Sequence, residues 1–370
     1  ELRHGEVFVE MGDDLDAFAE VFQFVVLVGG VDVVFGYPGG QIMPVYDSFY
    51  SCGTPIRHVL VRHEQGAIHA AQGYARVKGE PGVVIVTSGP GATNVITGVV
   101  DAMTDSTPVV VITGQVANAA LGTDAFQEAD VTGLTGPICK WNYQIRKAED
   151  IAWAVSRAFF IAKTGRPGPV VLDFTKDAQN GTVEFEYRKC NFIRSYIHLP
   201  KPSEQAIDKA VSLINGSEKP LVVFGQGVTI SNAETELMEF LKKGDIPAGA
   251  TLLGLSALPS DFPLYMGMIG MHGNVAPNVK TNECDVLIAV GMRFDDRVTG
   301  TVSTYAKQAK VIHIDIDPSE IGKIIPVEVG IKGDAKQVLS EITAKMKTLS
   351  HKEWIDSFAK CREIEQKKVI

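Results

Sequence analysis

The residue in this sequence that most plainly could do chemistry is Glu64, in Arg62-His63-Glu64-Gln65-Gly66-Ala67. It follows a short β-branched run and so falls at the end of a predicted strand, where α/β domains collect their ligands and where a carboxyl group could hold or move a proton. A glutamate at a helix start also complements the helix dipole, and for such a residue taken alone that is the commoner role. His63 and His69 lie nearby, but not at the i, i+4 spacing of a zinc-binding helix, so the segment is not read as a metal site. Upstream, GYPGG at 36–40 sets paired glycines after a strand, where positive φ and close approach to a ligand are expected; a plain strand-to-helix turn reads equally well. Thr87-Ser88-Gly89-Pro90-Gly91-Ala92-Thr93-Asn94 runs from a strand through glycine-rich sequence into a helix, with N–H groups able to meet an anion or a polar ring. No Gly-Lys-Ser/Thr follows, so it is not a P-loop. GTDAFQE at 122–128 is a polar loop with one aromatic, ordinary by itself. Arg293-Phe294-Asp295-Asp296-Arg297 alone is more often a solvated ion-pair loop.

These residues need a frame. Runs at 31–36, 58–62, 82–87, 108–113 and 169–174 are short and β-branched, each separated by enough chain for a helix, the pattern of buried parallel strands. Residues 64–78 and 92–103 carry apolar positions at helical spacing, with small residues that permit close packing on a sheet. From about residue 174 to 203 the pattern breaks into polar and aromatic sequence with Pro200 and Pro202, as an interdomain linker does. A second alternation follows: a helix over 204–214, strands at 220–224, 286–290 and 311–316, and a helix over 335–349. The fold class is therefore α/β, with two doubly wound parallel-sheet domains. The expected division is 1–176, a linker at 177–202, 203–350, and an amphipathic helical tail at 351–370.

Composition narrows the partners. With 370 residues the chain exceeds one domain of ordinary size, and 45% hydrophobic against 21% charged residues is the balance of a globular protein. A net charge of -9 argues against a nucleic-acid partner. The five cysteines are scattered without any Cys-x-x-Cys pair, so neither a disulfide framework nor a zinc site is expected, and a reducing cytoplasm fits. The apolar stretch at 22–28 is far shorter than the roughly 20 residues of a membrane helix, and no secretion signal is apparent, so no membrane association is expected.

Taken in order, GYPGG, RHEQGA, GYAR at 73–76, TSGPGATN, TGQV at 113–116, GTDAFQE and TGRPGPV at 164–170 closely resemble the pyrimidine-binding domain of acetohydroxyacid synthases, which depend on thiamine diphosphate. GMIGMHGN at 267–274, GMRFDDRVTG at 291–300, HIDIDPSEIGK at 313–323 and KGD at 332–334 resemble the FAD-binding middle domain of the same family. The resemblance covers about residue 28 to about residue 350. Before it, the bulky apolar run at 19–25 departs from the family's amphipathic first helix. Gln41 and Ala117 stand where alanine and proline are common.

The resemblance implies a catalytic subunit that decarboxylates pyruvate on thiamine diphosphate and ligates the two-carbon unit to pyruvate or 2-ketobutyrate, in branched-chain amino-acid biosynthesis. In that reading Glu64 hydrogen-bonds a ring nitrogen of the aminopyrimidine, with Pro90 and Asn94 beside it. Gly40 and Gln127 contact reacting oxygens, and Phe126 and Lys176 stand near the substrate entrance. FAD, in a structural role, is held by Arg166, Gly225, Gly227, Thr251, Leu252, Gly270, Met271, His272, Gly291, Arg293, Asp295, Arg297, Asp315, Ile316 and Asp334. The glycines would bring N–H groups to its pyrophosphate, Arg293 would fork onto phosphate oxygens, and Asp315 and Asp334 would accept from ribose or adenine. Mg²⁺ is held in this family by Gly-Asp-Gly, which does not occur here: Gly12-Asp13, Gly244-Asp245 and Gly333-Asp334 are followed by Asp14, Ile246 and Ala335. The sequence is thus expected to be a fragment without the third, pyrophosphate-binding domain, inactive alone, with a homodimer or homotetramer and a small regulatory subunit as partners. Glyoxylate carboligase, apolar at the place of Glu64, and catabolic acetolactate synthases, without the RFDDR loop, fit less well. The alternative is a non-catalytic FAD- or nucleotide-binding protein, or one half of a split enzyme.

Overall fold

The structure, a computed structural model, describes residues 30–51, 55–183 and 188–368. The runs at 19–25 and 22–28, Gly12-Asp13 and Cys52 lie outside the described residues. The chain divides into two compact units, Glu1–Tyr196 and Ile197–Ile370. Among the described residues no helix is long and apolar enough to cross a membrane.

In the first unit, β1 (Val33–Tyr37), β2 (Arg57–Leu60), β3 (Gly82–Val86), β4 (Val109–Gln115), β5 (Trp141–Ile145) and β6 (Pro169–Thr175) form one parallel sheet in the order β2-β1-β3-β4-β6-β5. β3, β4 and β6 are buried at every position, because helices cover both faces, and this is why they read as unbroken apolar runs. One face packs Ile85, Ile112 and Leu172 with Ile151, Val155 and Phe159 of the helix Ile151–Lys163. The other packs Val84 and Val111 with Ile68 of the helix Glu64–Lys78 and Val99 of the helix Ile96–Thr104. The helix Glu64–Lys78 has the predicted span: His63 caps its start and Gly79, left-handed at φ 74°, ends it. The single helix expected over 92–103 is instead two, Pro90–Asn94 and Ile96–Thr104, because Val95 (φ −86°, ψ −11°) interrupts the ladder. β5 is an edge strand, half-buried except at Ile145, and carries no apolar run that would predict it. Within the stretch read as linker, Lys176–Asn180 is helical, and Ile193 and Tyr196 pack on this unit's core.

The second unit has its own parallel sheet, β12-β11-β10-β7-β8-β9, made of β7 (Pro220–Phe224), β8 (Ala248–Ala250), β9 (Tyr265–Met268), β10 (Val286–Val290), β11 (Lys310–Asp315) and β12 (Val329–Lys332). The helix expected over 335–349 ends at Lys345, where Met346 turns extended (ψ 155°). The stretch read as a tail forms Lys352–Asp356 and Phe358–Lys368; Trp354, Phe358 and Cys361 are buried in the core with Leu287 and Val311. Trp354 donates from its indole to the Pro220 carbonyl (2.8 Å), which ties this segment to the start of β7. The strand order reverses between β1 and β3 in the first sheet, where β5 also folds back outside β6, and between β7 and β10 in the second. Neighbouring connections leave in opposite directions there and open a crevice at the carboxyl ends of the strands.

Candidate functional site

At the carboxyl edge of the first sheet, β2 leads into the helix that begins at Glu64, and β3 leads into the short helix that ends at Asn94. The Asn94 side-chain amide donates to Glu64 Oε2 (2.9 Å). Glu64 is only 8% exposed, so an acid is held inside the fold beside the switch point. Asn94 fixes one carboxylate oxygen, and among the described residues Oε1 accepts no hydrogen bond. The wall opposite is cleared by glycine: a Cβ on Gly91 would stand 2.8 Å from Thr87 Cγ2 and 3.7 Å from Glu64 Oε1. In the same turn Ser88 Oγ is buried without a hydrogen-bond partner. An acid with one oxygen fixed and one open, next to a bare backbone wall, fits a flat, polar, nitrogen-containing ring.

The neighbouring segments reach the same edge, with one correction to the sequence reading. None of the glycines in GYPGG takes a positive φ. What demands glycine is space: a Cβ at Gly36 would lie 2.3 Å from the Ile85 carbonyl oxygen, and at Gly39 2.6 Å from Thr87. The turn is pressed against β3 across the switch point. Gly40 is exposed, and its carbonyl accepts from Lys176 Nζ (3.0 Å); partial burial lowers the Lys176 pKa below its ordinary value. Gln41 donates its amide to Thr87 Oγ1 (3.3 Å) and accepts from the Gln179 side chain (2.8 Å). In the loop after β4, Phe126 is 84% exposed, and Gln127 holds a left-handed φ of 59°. The Gln127 carbonyl lies 2.6 Å from where a Cβ on Gly89 would stand, so the loop rests on the turn that introduces Pro90 and Asn94. Glu64, Pro90, Asn94, Gly40, Phe126, Gln127 and Lys176 therefore all follow the carboxyl ends of strands. Arg166 does not join them: it precedes β6, at the amino edge, where it donates to Ser106 Oγ (2.9 Å) and the Thr104 carbonyl (3.4 Å).

Sequence reasoning missed a polar cluster behind this edge. Asp173 in β6 is fully buried. It accepts from Thr113 Oγ1 (2.7 Å) and from the side-chain amides of Gln115 (3.1 Å) and Gln144 (3.0 Å). Burial raises its pKa to about 6, although the three donors pull the other way. The available signal was an acid within the apolar run of 169–174, together with the TGQV motif.

In the second unit the residues assigned to flavin also follow the carboxyl ends of strands: Gly225 and Gly227 after β7, Thr251 and Leu252 after β8, Gly270, Met271 and His272 after β9, Gly291, Arg293, Asp295 and Arg297 after β10, Ile316 after Asp315, the last residue of β11, and Asp334 after β12. The amides of the glycines are not free for a phosphate, which corrects the expectation. Gly225 donates to the Val290 carbonyl (3.0 Å), Gly227 to Gly291 (2.9 Å) and Gly291 to Ile314 (2.9 Å), while Gly270 donates to Asn278 Oδ1 (2.9 Å). Glycine is needed for approach instead: a Cβ at Gly227 would meet Gly291 Cα at 2.6 Å, and Gly291 itself has φ 55°. The acids also have local duties. Asp334 caps the helix Ala335–Lys345, Asp295 caps Asp296–Thr299 and pairs with Arg293 (3.7 Å), and Asp315 accepts from the Asp317 amide (2.8 Å). Arg297 lies 3.9 Å from Asp296 and its side chain is largely exposed, as in a solvated ion-pair loop. Close-packed glycines at a switch point, with Arg293 and the exposed Leu252 and Met271 on the loops that follow the strands, fit an extended ligand with an anionic centre and flat apolar parts.

Comparison with known proteins agrees with this layout. Residues 20–134 match the family described as "Thiamine pyrophosphate enzyme, N-terminal TPP binding domain", and residues 207–342 match "Thiamine pyrophosphate enzyme, central domain". The chain belongs to the thiamine pyrophosphate enzymes. Within them it is similar to acetolactate synthase large subunits. It is 50% identical over 330 residues to that of Corynebacterium glutamicum, covering 88% of this chain and 53% of the relative. It is 47% identical over 344 residues to a probable large subunit of Methanocaldococcus jannaschii (90% and 57%), and 46% identical over 334 residues to the isozyme 2 large subunit of Escherichia coli (90% and 59%). The chain thus spans little more than half the length of the curated relatives it matches.

Proposed function

We propose that this chain supplies the pyrimidine-binding and flavin-binding parts of an acetolactate synthase large subunit, which decarboxylates pyruvate and ligates the two-carbon unit to pyruvate or 2-ketobutyrate. The observation that carries the reading is the buried Glu64–Asn94 pair beside the glycine-cleared wall at the switch point of the first sheet. Thiamine diphosphate, when bound, supplies the electron sink for decarboxylation and carbon–carbon bond formation. Glu64 presents its open oxygen to a ring nitrogen of the aminopyrimidine, and Asn94 holds the plane of the carboxyl so that a proton is exchanged at a defined position. Gly40 and Gln127 face the oxygens of the 2-keto acid, while Phe126 and Lys176 narrow the approach and exclude water. FAD, when bound, would be held at the carboxyl edge of the second sheet, where the glycines would permit its close approach and Arg293 would meet its phosphates. Mg²⁺ would be held by a Gly-Asp-Gly motif, which does not occur among these 370 residues. A homodimer or homotetramer, a small regulatory subunit and a cytoplasmic setting complete the proposal.

The test joins this chain to the pyrophosphate-binding domain of an acetolactate synthase large subunit and measures acetolactate formed from pyruvate with thiamine diphosphate, Mg²⁺ and FAD. Activity that disappears in Glu64→Gln supports the reading. A folded, flavin-loaded fusion that forms no acetolactate refutes it and leaves a non-catalytic flavin-binding role.

A further inference from the structure

One side chain holds both stems of the loop that carries Phe126 and Gln127. Gln115, the last residue of β4, accepts from the Val116 amide at its own Oε1 (2.9 Å), and its Nε2 donates to the Ala129 carbonyl (2.8 Å). The loop between them is thereby closed at its base. That same Nε2 donates to Asp173 Oδ2 (3.1 Å), so the direction of the amide is set by the carboxylate behind it. Register explains the geometry: Thr113 of β4 and Gln144 of β5 lie directly beside Asp173 of β6, and Gln115 is two residues beyond Thr113 on the same face. Beyond the latch the loop keeps its own shape. The Glu128 carboxylate accepts from the Gly122 and Ala125 amides, and the loop then sits on Gly89.

We propose that Asp173 is a positioning residue for the substrate approach: through Gln115 it latches the 117–128 loop and so sets where Phe126 and Gln127 stand. A carboxylate suits this task because it accepts without donating and so admits a single orientation of the Gln115 amide. Protonation of Asp173 weakens that constraint, because a neutral carboxyl accepts less strongly and can itself donate. The groups around Asp173 on β4 and β5 are the neutral Thr113, Gln115 and Gln144, and the charged group that acts on it is Asp130, at the cap of the helix Val131–Thr135. Glu128, held below its ordinary pKa by the loop amides, remains ionised where Asp173 titrates. Only the link to substrate rests on the carboligase reading; the latch itself does not.

The test is hydrogen exchange of the 117–128 segment in the whole chain, with no cofactor and no turnover, so that failure of the latch and failure of the carboligase reading show separately. Asp173→Asn should speed exchange in the loop about tenfold, the loss of one charge-assisted hydrogen bond, and Gln115→Ala, which also loses the bonds to Val116 and Ala129, at least as much, with β1 and β3 unchanged. Thr113→Val removes a bond to the same carboxylate but not the latch, and should change the loop less than about twofold. In the wild type, loop protection corrected for intrinsic rates should fall as pH drops through the titration of Asp173, and in Asp173→Asn it should not. Should Asp173→Asn fail to fold, Gln115→Ala and the wild-type pH profile decide. A folded Gln115→Ala chain with a wild-type loop, an equal effect of Thr113→Val, or a flat wild-type profile would overturn the proposal.

Discussion

Asp173 also sets the pH dependence of the first unit. An exposed carboxyl titrates near 3.8, whereas complete burial within β6 brings this one to about 6. Between those values the folded chain binds more protons than the unfolded chain. The stability contribution is therefore fully present below about pH 4 and is lost as pH rises through about 6. At roughly 1.4 kcal/mol per pH unit the loss is about 3 kcal/mol, the cost of an ionised carboxyl in the interior after its three donors have offset part of it. Asp173→Asn keeps the shape and removes the titration. Wild type and variant would be unfolded in urea at about pH 4 and about pH 7, with the first unit followed through exchange of β4 and β6 amides. The variant should gain about 2 to 3 kcal/mol relative to the wild type between the two pH values. A difference that stays constant, or moves the other way, would show that Thr113, Gln115 and Gln144 outweigh burial, and the argument would fail.

Four further outcomes follow from geometry. A Cβ at Gly82 would stand 2.2 Å from the Ala71 carbonyl oxygen, so Gly82→Ala should push the helix bearing Glu64 off the sheet and cost about 1 to 3 kcal/mol in thermal unfolding. Gly40→Ala meets nothing within 4 Å and should cost less than about 1 kcal/mol. Lys280, buried over the rings of Trp354 (5.1 Å) and Phe358 (5.8 Å) and paired with Glu283 (2.6 Å), holds the C-terminal helices; Lys280→Met should cost about 1 kcal/mol and speed proteolysis within Phe358–Lys368. Asp334→Ala removes the acceptor for the Gln337 amide and should destabilise the second unit by about 1 kcal/mol in denaturant.

The sequence by itself determined the parallel α/β class and most of the strands, because β3, β4, β6, β7 and β10 are buried on both faces and so must be continuous apolar runs. It also singled out Glu64, since an acid between a strand and a helix start is a local pattern. β5 and β8 escaped it: Trp-Asn-Tyr-Gln-Ile and Ala-Gly-Ala have weak strand character of their own and are strands because β6 and β7 offer them a ladder. Only the tertiary structure decided what each singled-out residue does. Asn94 meets Glu64 across 30 positions, the GYPGG glycines serve contact with β3 rather than positive φ, and Gly225, Gly227 and Gly291 spend their amides on neighbouring segments. Asp173 faces three donors drawn from two neighbouring strands. Residue type and spacing record which groups are present and the period of the chain, but which donor meets which acceptor depends on register and crossover, and those are set by packing between segments far apart in sequence.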